Sequence, residues 1–101
     1  MSRLHYEVTV RAKTAETKAR FLRWMEEEHR DDMLAVRDIH SCRVIDLGQT
    51  SLRCDYVFTD RAAFDAYEQN EAPQMRAKFR ERFSPDELEF HRGTYLILLN
   101  S

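Results

Sequence analysis

Tyr95-Leu96-Ile97-Leu98-Leu99, close to the C-terminus, is apolar at every position. Read as a strand, its side chains alternate between the two faces of a sheet, so both faces must be covered there. The first strand reads differently. Leu4, Tyr6, Val8 and Val10 alternate with His5, Glu7, Thr9 and Arg11, leaving one apolar and one polar face. A sheet built from both has helices on one side and, at the last strand, needs a cover that the rest of the chain does not supply. Sheet-to-sheet homodimerisation, closing two sheets into a barrel, would supply it.

Working outward from that strand, Thr14 caps a helix running to about His29, and Asp31 and Asp32 then interrupt it. Met33 to Val36 forms a short apolar turn, and Ile39 to Leu47 with Leu52 to Thr59 forms a hairpin. Thr59 or Asp60 caps a second helix with Ala63, Phe64 and Tyr67 inward. Pro73 suits the first turn of a third helix, whose Met75, Phe79 and Phe83 share one face. Leu88 to Leu99 is the last strand, with Gly93 as a bulge. The order β-α-β-β-α-α-β predicts an α+β fold: a ferredoxin-like split βαβ with a four-stranded antiparallel sheet, dimerising into an α/β barrel. Residues 1–101 form a single domain, with no internal repeat or linker.

The 101 residues are 43% hydrophobic and carry a formal net charge of −2, which gives no general attraction to nucleic acid or to an anionic membrane. No apolar run is long enough to span a bilayer, and the N-terminus lacks the apolar stretch of a signal peptide, so a cytoplasmic protein is expected. If Leu47 opposes Leu52, Cys42 and Cys54 point to opposite faces and stay free thiols; a register shifted by one residue puts them on one face, diagonally offset.

Phe21-Leu22-Arg23-Trp24-Met25-Glu26-Glu27-Glu28-His29 is the stretch richest in chemistry. Phe21, Met25 and His29 fall at i, i+4 and i+8, with Trp24 and Glu28 on the adjoining edge. A tryptophan, a carboxylate and an imidazole thus converge at one end of a buried face, where they can line a pocket. Combined with Tyr6-Glu7-Val8-Thr9-Val10, Ala72-Pro73, Met75-Arg76, Phe79 and Arg82-Phe83, the segment Trp24-Met25-x-x-x-His29 resembles a family of short, uncharacterised bacterial proteins. That family lies in the dimeric α/β-barrel superfamily, among distant kin of antibiotic-biosynthesis-type monooxygenases. The chain departs from the family's usual residues at Glu7, Arg30 and Glu71. The resemblance implies a homodimer and a ferredoxin-like fold. Superfamily relatives include cofactor-free monooxygenases, haem-degrading oxygenases, cyclases and lactone isomerases, so it implies small-molecule chemistry by analogy.

His29 is the candidate acid–base group, weighed against a histidine held by a helix C-terminal dipole and paired with Glu28 or Asp32. Trp24 is the candidate aromatic wall. In the register above Arg43 shares the helix-covered face with Tyr56; the two would bind a carboxylate or enolate, or Arg43 would form a structural pair with Glu28. The opposite face carries His5, Glu7, Thr9, His40, Asp46, Arg53 and Asp55, with Asp46 and Arg53 as cross-strand partners. No spacing matches a metal site, and no cofactor is expected. Tyr6, Tyr56 and Phe58 stand on strands that stack bases in RNA-binding sheets, but the Gly/aromatic pattern is absent and they face the helices in this register, so no nucleic-acid partner is expected. The expected role is binding of a small molecule between the first helix and the sheet, extending to cofactor-independent oxygenase, isomerase or cyclase chemistry. The competing role is a non-catalytic homodimeric regulator or scaffold.

Overall fold

The computed structural model describes residues 2–100. β1 (Leu4–Ala12) leads into α1 (Ala15–Trp24), whose N-cap Thr14 accepts a hydrogen bond from the Thr17 amide. The helix does not stop at His29. Met25–His29 forms a π turn, closed by the Arg30 amide donating to the Met25 carbonyl, and α2 (Arg30–Leu34) carries on from it. Asp31 and Asp32 therefore sit within one continuous helical segment rather than beyond its end, and Met33 is fully buried on the inner face. β2 (Ile39–Gly48) and β3 (Ser51–Phe58) make the hairpin. Asp60 caps α3 (Arg61–Asn70) by accepting from the Ala63 amide at 2.8 Å, and Pro73 sits in the first turn of α4 (Ala72–Arg82). β4 (Leu88–Leu96) closes the order.

All strand pairs are antiparallel, in the order β2-β3-β1-β4, the ferredoxin-like arrangement. The helices lie on the face carrying Leu4, Tyr6, Val8 and Val10 of β1 and Leu52, Cys54, Tyr56 and Phe58 of β3, all buried. Phe21, Met25, Met33, Phe64, Tyr67 and Phe83 complete the core from the helical side. At about 25 cal/mol per Å² of apolar surface removed from water, this single layer is the main source of stability.

The hairpin register differs from the expected one by a residue. Gly48, at φ +90°, opposes Ser51, Asp46 opposes Leu52 and Cys42 opposes Tyr56, with irregularities in β2 between Ile39 and Ser41 and between Asp46 and Gly48. Because the side-chain period is two, the slip moves the β2 side chains from Ser41 to Asp46 to the other face, while Ile39, opposite Phe58 beyond the first irregularity, stays against the core. Arg43 and Ile45 now face away from the helices, while Cys42 and Val44 pack beneath them. Cys42 and Cys54 share that inner face, diagonally offset, and both are free thiols. Asp46 does not meet Arg53; it binds Lys18 at 2.7 Å and the Gly48 amide at 2.8 Å. Gly93 is no bulge either, since β1 and β4 pair in unbroken register past it. Its missing side chain makes room for the Tyr95 ring, whose Cζ would lie 2.8 Å from an added Cβ. β4 ends at Leu96, short of the expected Leu99. Tyr95 and Leu96 are each 55% exposed, and Leu98 and Leu99 about nine-tenths exposed, which leaves the terminal apolar segment uncovered within one chain. Among the described residues no helix is long and apolar enough to cross a membrane.

Candidate functional site

The apolar stripe of α1 and the inner face of α4 do not close onto the sheet. A cavity of about 340 Å³ remains between them, within the range that holds a small ligand. Its apolar walls include Phe21, Trp24, Met75, Phe79, Phe83 and Phe90. Tyr6, Tyr56 and Tyr67 bring phenols to it, His29 an imidazole, and Arg76, Arg80 and Arg92 guanidinium groups.

The π turn shapes the α1 wall. Five residues at about 100° each would separate Trp24 and His29 by roughly 140° around a regular helix. The one extra residue in the wider turn brings them onto one side, where the rings stack at 4.6 Å between centroids and 16° between planes. The imidazole also meets Tyr56 edge-on at 6.4 Å. Phe79 and Phe83 pack edgewise on the indole at 5.7 and 6.0 Å, fixing it from the α4 side.

Burial lowers the His29 pKa from 6.5 to about 4; the Asp32 carboxylate pulls it upward, and Lys78 offsets that. Lys78 is itself bound to Asp32 at 3.0 Å. His29 is therefore a neutral imidazole at pH 7. The alternative of a histidine held by a helix C-terminal dipole does not hold, because the chain stays helical past it. Burial likewise pushes the Tyr56 and Tyr67 hydroxyls up, so both are protonated donors, and raises the Cys54 thiol to about 12, so it is no nucleophile.

Three of the five residues singled out in the sequence, Trp24, His29 and Tyr56, line this cavity. Two do not. Glu28 is exposed on the outer side of the π turn and binds Arg82 at 2.8 Å. Arg43, moved outward by the register slip, has a 72% exposed side chain 3.7 Å from Asp55, and it neither opposes Tyr56 nor meets Glu28. The cavity's cations come instead from α4 and β4. Arg92 sits opposite Val8 on the helix-covered face of β4, with its guanidinium 5.1 Å from the Phe90 ring centre. Arg76 reaches both carboxylate oxygens of Glu68, at 3.0 and 2.9 Å. Antiparallel pairing with β1 could have placed Arg92 beside Val8 in advance; the outward-looking polar run His91-Arg92 hid it.

The open face of the sheet holds a second polar group of residues. Asp55, buried there, accepts from His5 at 3.0 Å and from Arg53 at 3.2 Å, and Glu7 lies 3.7 Å from Arg53. Burial would raise the Asp55 carboxyl, but these donors and their charge outweigh it and hold it low. Among the described residues no buried side-chain polar atom lacks a partner, and no cluster of three or more His, Cys, Asp or Glu gathers as a metal site would.

The same fold occurs in proteins of very different sequence. A dimeric ferredoxin-like protein from an uncultured marine organism superposes with a TM-score of 0.79 at 12% identity, over 100% of both chains. A protein from Bacteroides thetaiotaomicron, described as a possible oxidoreductase, gives 0.74 at 9% identity over 95% of this chain and 98% of its own. The Streptomyces coelicolor monooxygenase ActVA-Orf6, solved with nanaomycin D, gives 0.63 at 14% identity over 99% and 94%. No curated protein matches the sequence. The model of the domain of unknown function DUF4286 matches residues 3–97, and the chain belongs to that family.

Proposed function

We propose that the protein is a homodimer that binds a small, flat molecule in the cavity between α1, α4 and the sheet, with Trp24 as its aromatic wall and His29 as its acid–base group. One observation carries this reading: a neutral imidazole stacked on a tryptophan in the wall of a 340 Å³ cavity. Imidazole held neutral by burial accepts or donates a hydrogen bond without the solvation cost of a charge. A conjugate-acid pKa of about 4 makes His29 a weak base, so it takes protons that are already acidic, such as those of a phenol or a 1,3-dicarbonyl. Proton transfer to His29 leaves a phenolate from the one or an enolate from the other, whose oxygen the protonated Tyr56 hydroxyl would meet. Cofactor-independent oxygenation, isomerisation or cyclisation all begin with that step.

Dimerisation is supported by the exposed apolar run Tyr95, Leu96, Leu98 and Leu99 and by the description of a similarly folded protein as dimeric. A purely scaffolding role would suit a gap filled by side chains, whereas Trp24 and Tyr67 line an open one. Native mass spectrometry of protein isolated gently from its own host tests the proposal. The expected result is a dimer carrying a small mass that is lost on denaturation. A dimer of bare polypeptide mass that also takes up no small aromatic probe would favour a scaffold, and a monomer would remove the barrel.

A further inference from the structure

The charged residues lining the cavity are all of one sign. Arg76, Arg80 and Arg92 contribute to it, and no Asp or Glu does. Only Arg76 is neutralised, by Glu68 at 2.9 Å; among the described residues Arg80 and Arg92 make no ion pair. Arg92 stands over Phe90 and lines the cavity together with Tyr6, whose hydroxyl burial pushes up despite the nearby cation, so it is a protonated phenol at pH 7. A guanidinium and a phenol are thus presented together beside apolar walls. The one ionisable group on the α1 wall, His29, carries no opposing charge.

Resting on the reading of this cavity as the ligand site, we infer that its ligand is a planar aromatic acid whose carboxylate is taken by Arg92 and the Tyr6 hydroxyl while its ring lies among Trp24, Phe79 and Phe90. The guanidinium fork matches the two carboxylate oxygens, and Arg92, itself exposed, is reachable by an anion from solvent. The same lining rejects cations, because no carboxylate is available to meet them. Arg92 is the specificity-determining residue, and Arg80 adds long-range attraction for the anion.

Isothermal titration calorimetry of the intact protein tests this with three probes of one shape: 2-naphthoate, its neutral isostere 2-naphthamide and 2-naphthylmethylammonium. Naphthoate should bind about tenfold or more tighter than the amide, the worth of one charge-assisted hydrogen bond, and the ammonium should not bind. Arg92→Gln should bring naphthoate down to the affinity of the amide and leave the amide unchanged. Arg92→Lys, which keeps the charge but not the fork, should fall between them. Equal binding of naphthoate and amide, or a preference that survives Arg92→Gln, would overturn the inference while leaving the cavity as a ligand site. Binding of none of the three would remove that site and the inference with it.

Discussion

Asp55 and Arg43 are 3.7 Å apart, yet they stand very differently in the fold. Asp55 is only 4% exposed and gathers His5, Arg53 and Arg43 around one carboxylate, whereas Arg43 extends into solvent. Asp55→Ala should cost about 1–3 kcal/mol in chemical denaturation, because it removes the charge-assisted hydrogen bonds that the half-buried His5 and Arg53 make to a buried carboxylate. Arg43→Ala should change stability by less than about 0.5 kcal/mol, the worth of an exposed pair. A large loss at Arg43 would mean that it is held in an interface absent from one chain. The periods of their own elements put His29 and Tyr56 on the side where helix meets sheet, whereas the stacking of Trp24 on His29 depends on the π turn. The sequence misplaced Arg43 and Glu28 because their positions depend on a turn and on a helix irregularity that no local pattern announces.

Among the elements, the helix running from Ala15 to Leu34 is the most informative. Its π turn is one residue more than a regular helix needs, and three consecutive glutamates, Glu26, Glu27 and Glu28, occupy it on the solvent side. Deleting Glu27 would return the segment to a regular helix and keep Phe21 and Met33 in the core, with the tryptophan and histidine now four residues apart and still adjacent. The deletion should therefore alter stability by less than about 1 kcal/mol and preserve ring stacking, seen as ring-current shifts of the imidazole protons. Loss of folding would show that the wide turn itself is required. Element order, both side-chain caps and the inward faces of α3 and α4 were legible from periodicity and cap chemistry. The helix after His29 was not, since Asp31 and Asp32 read equally as a break or as a first turn. The β2 register was not, since Cys42, Val44 and Ile45 offer an apolar residue to either face.

For the molecule as a whole, a half-buried, neutral His29 is the feature on which both ligand binding and acid–base chemistry depend. It has a thermodynamic signature. With a folded pKa of about 4 against 6.5, the unfolded chain takes up the proton first as pH falls. The stability this group contributes is complete above pH 6.5 and is lost as pH falls from there towards 4. At about 1.4 kcal/mol per unit, that amounts to roughly 3 kcal/mol. Carboxylates titrate in part of the same window, so the ring itself is the place to measure. Nuclear magnetic resonance of the His29 imidazole nitrogens, assigned by comparison with His29→Gln and followed against pH in the folded protein, reads the protonation state directly. A midpoint near pH 4 is the predicted result. A midpoint near 6.5 would show an imidazole solvated like a free one, and the cavity would lose the buried, charge-resisting group on which this reading rests.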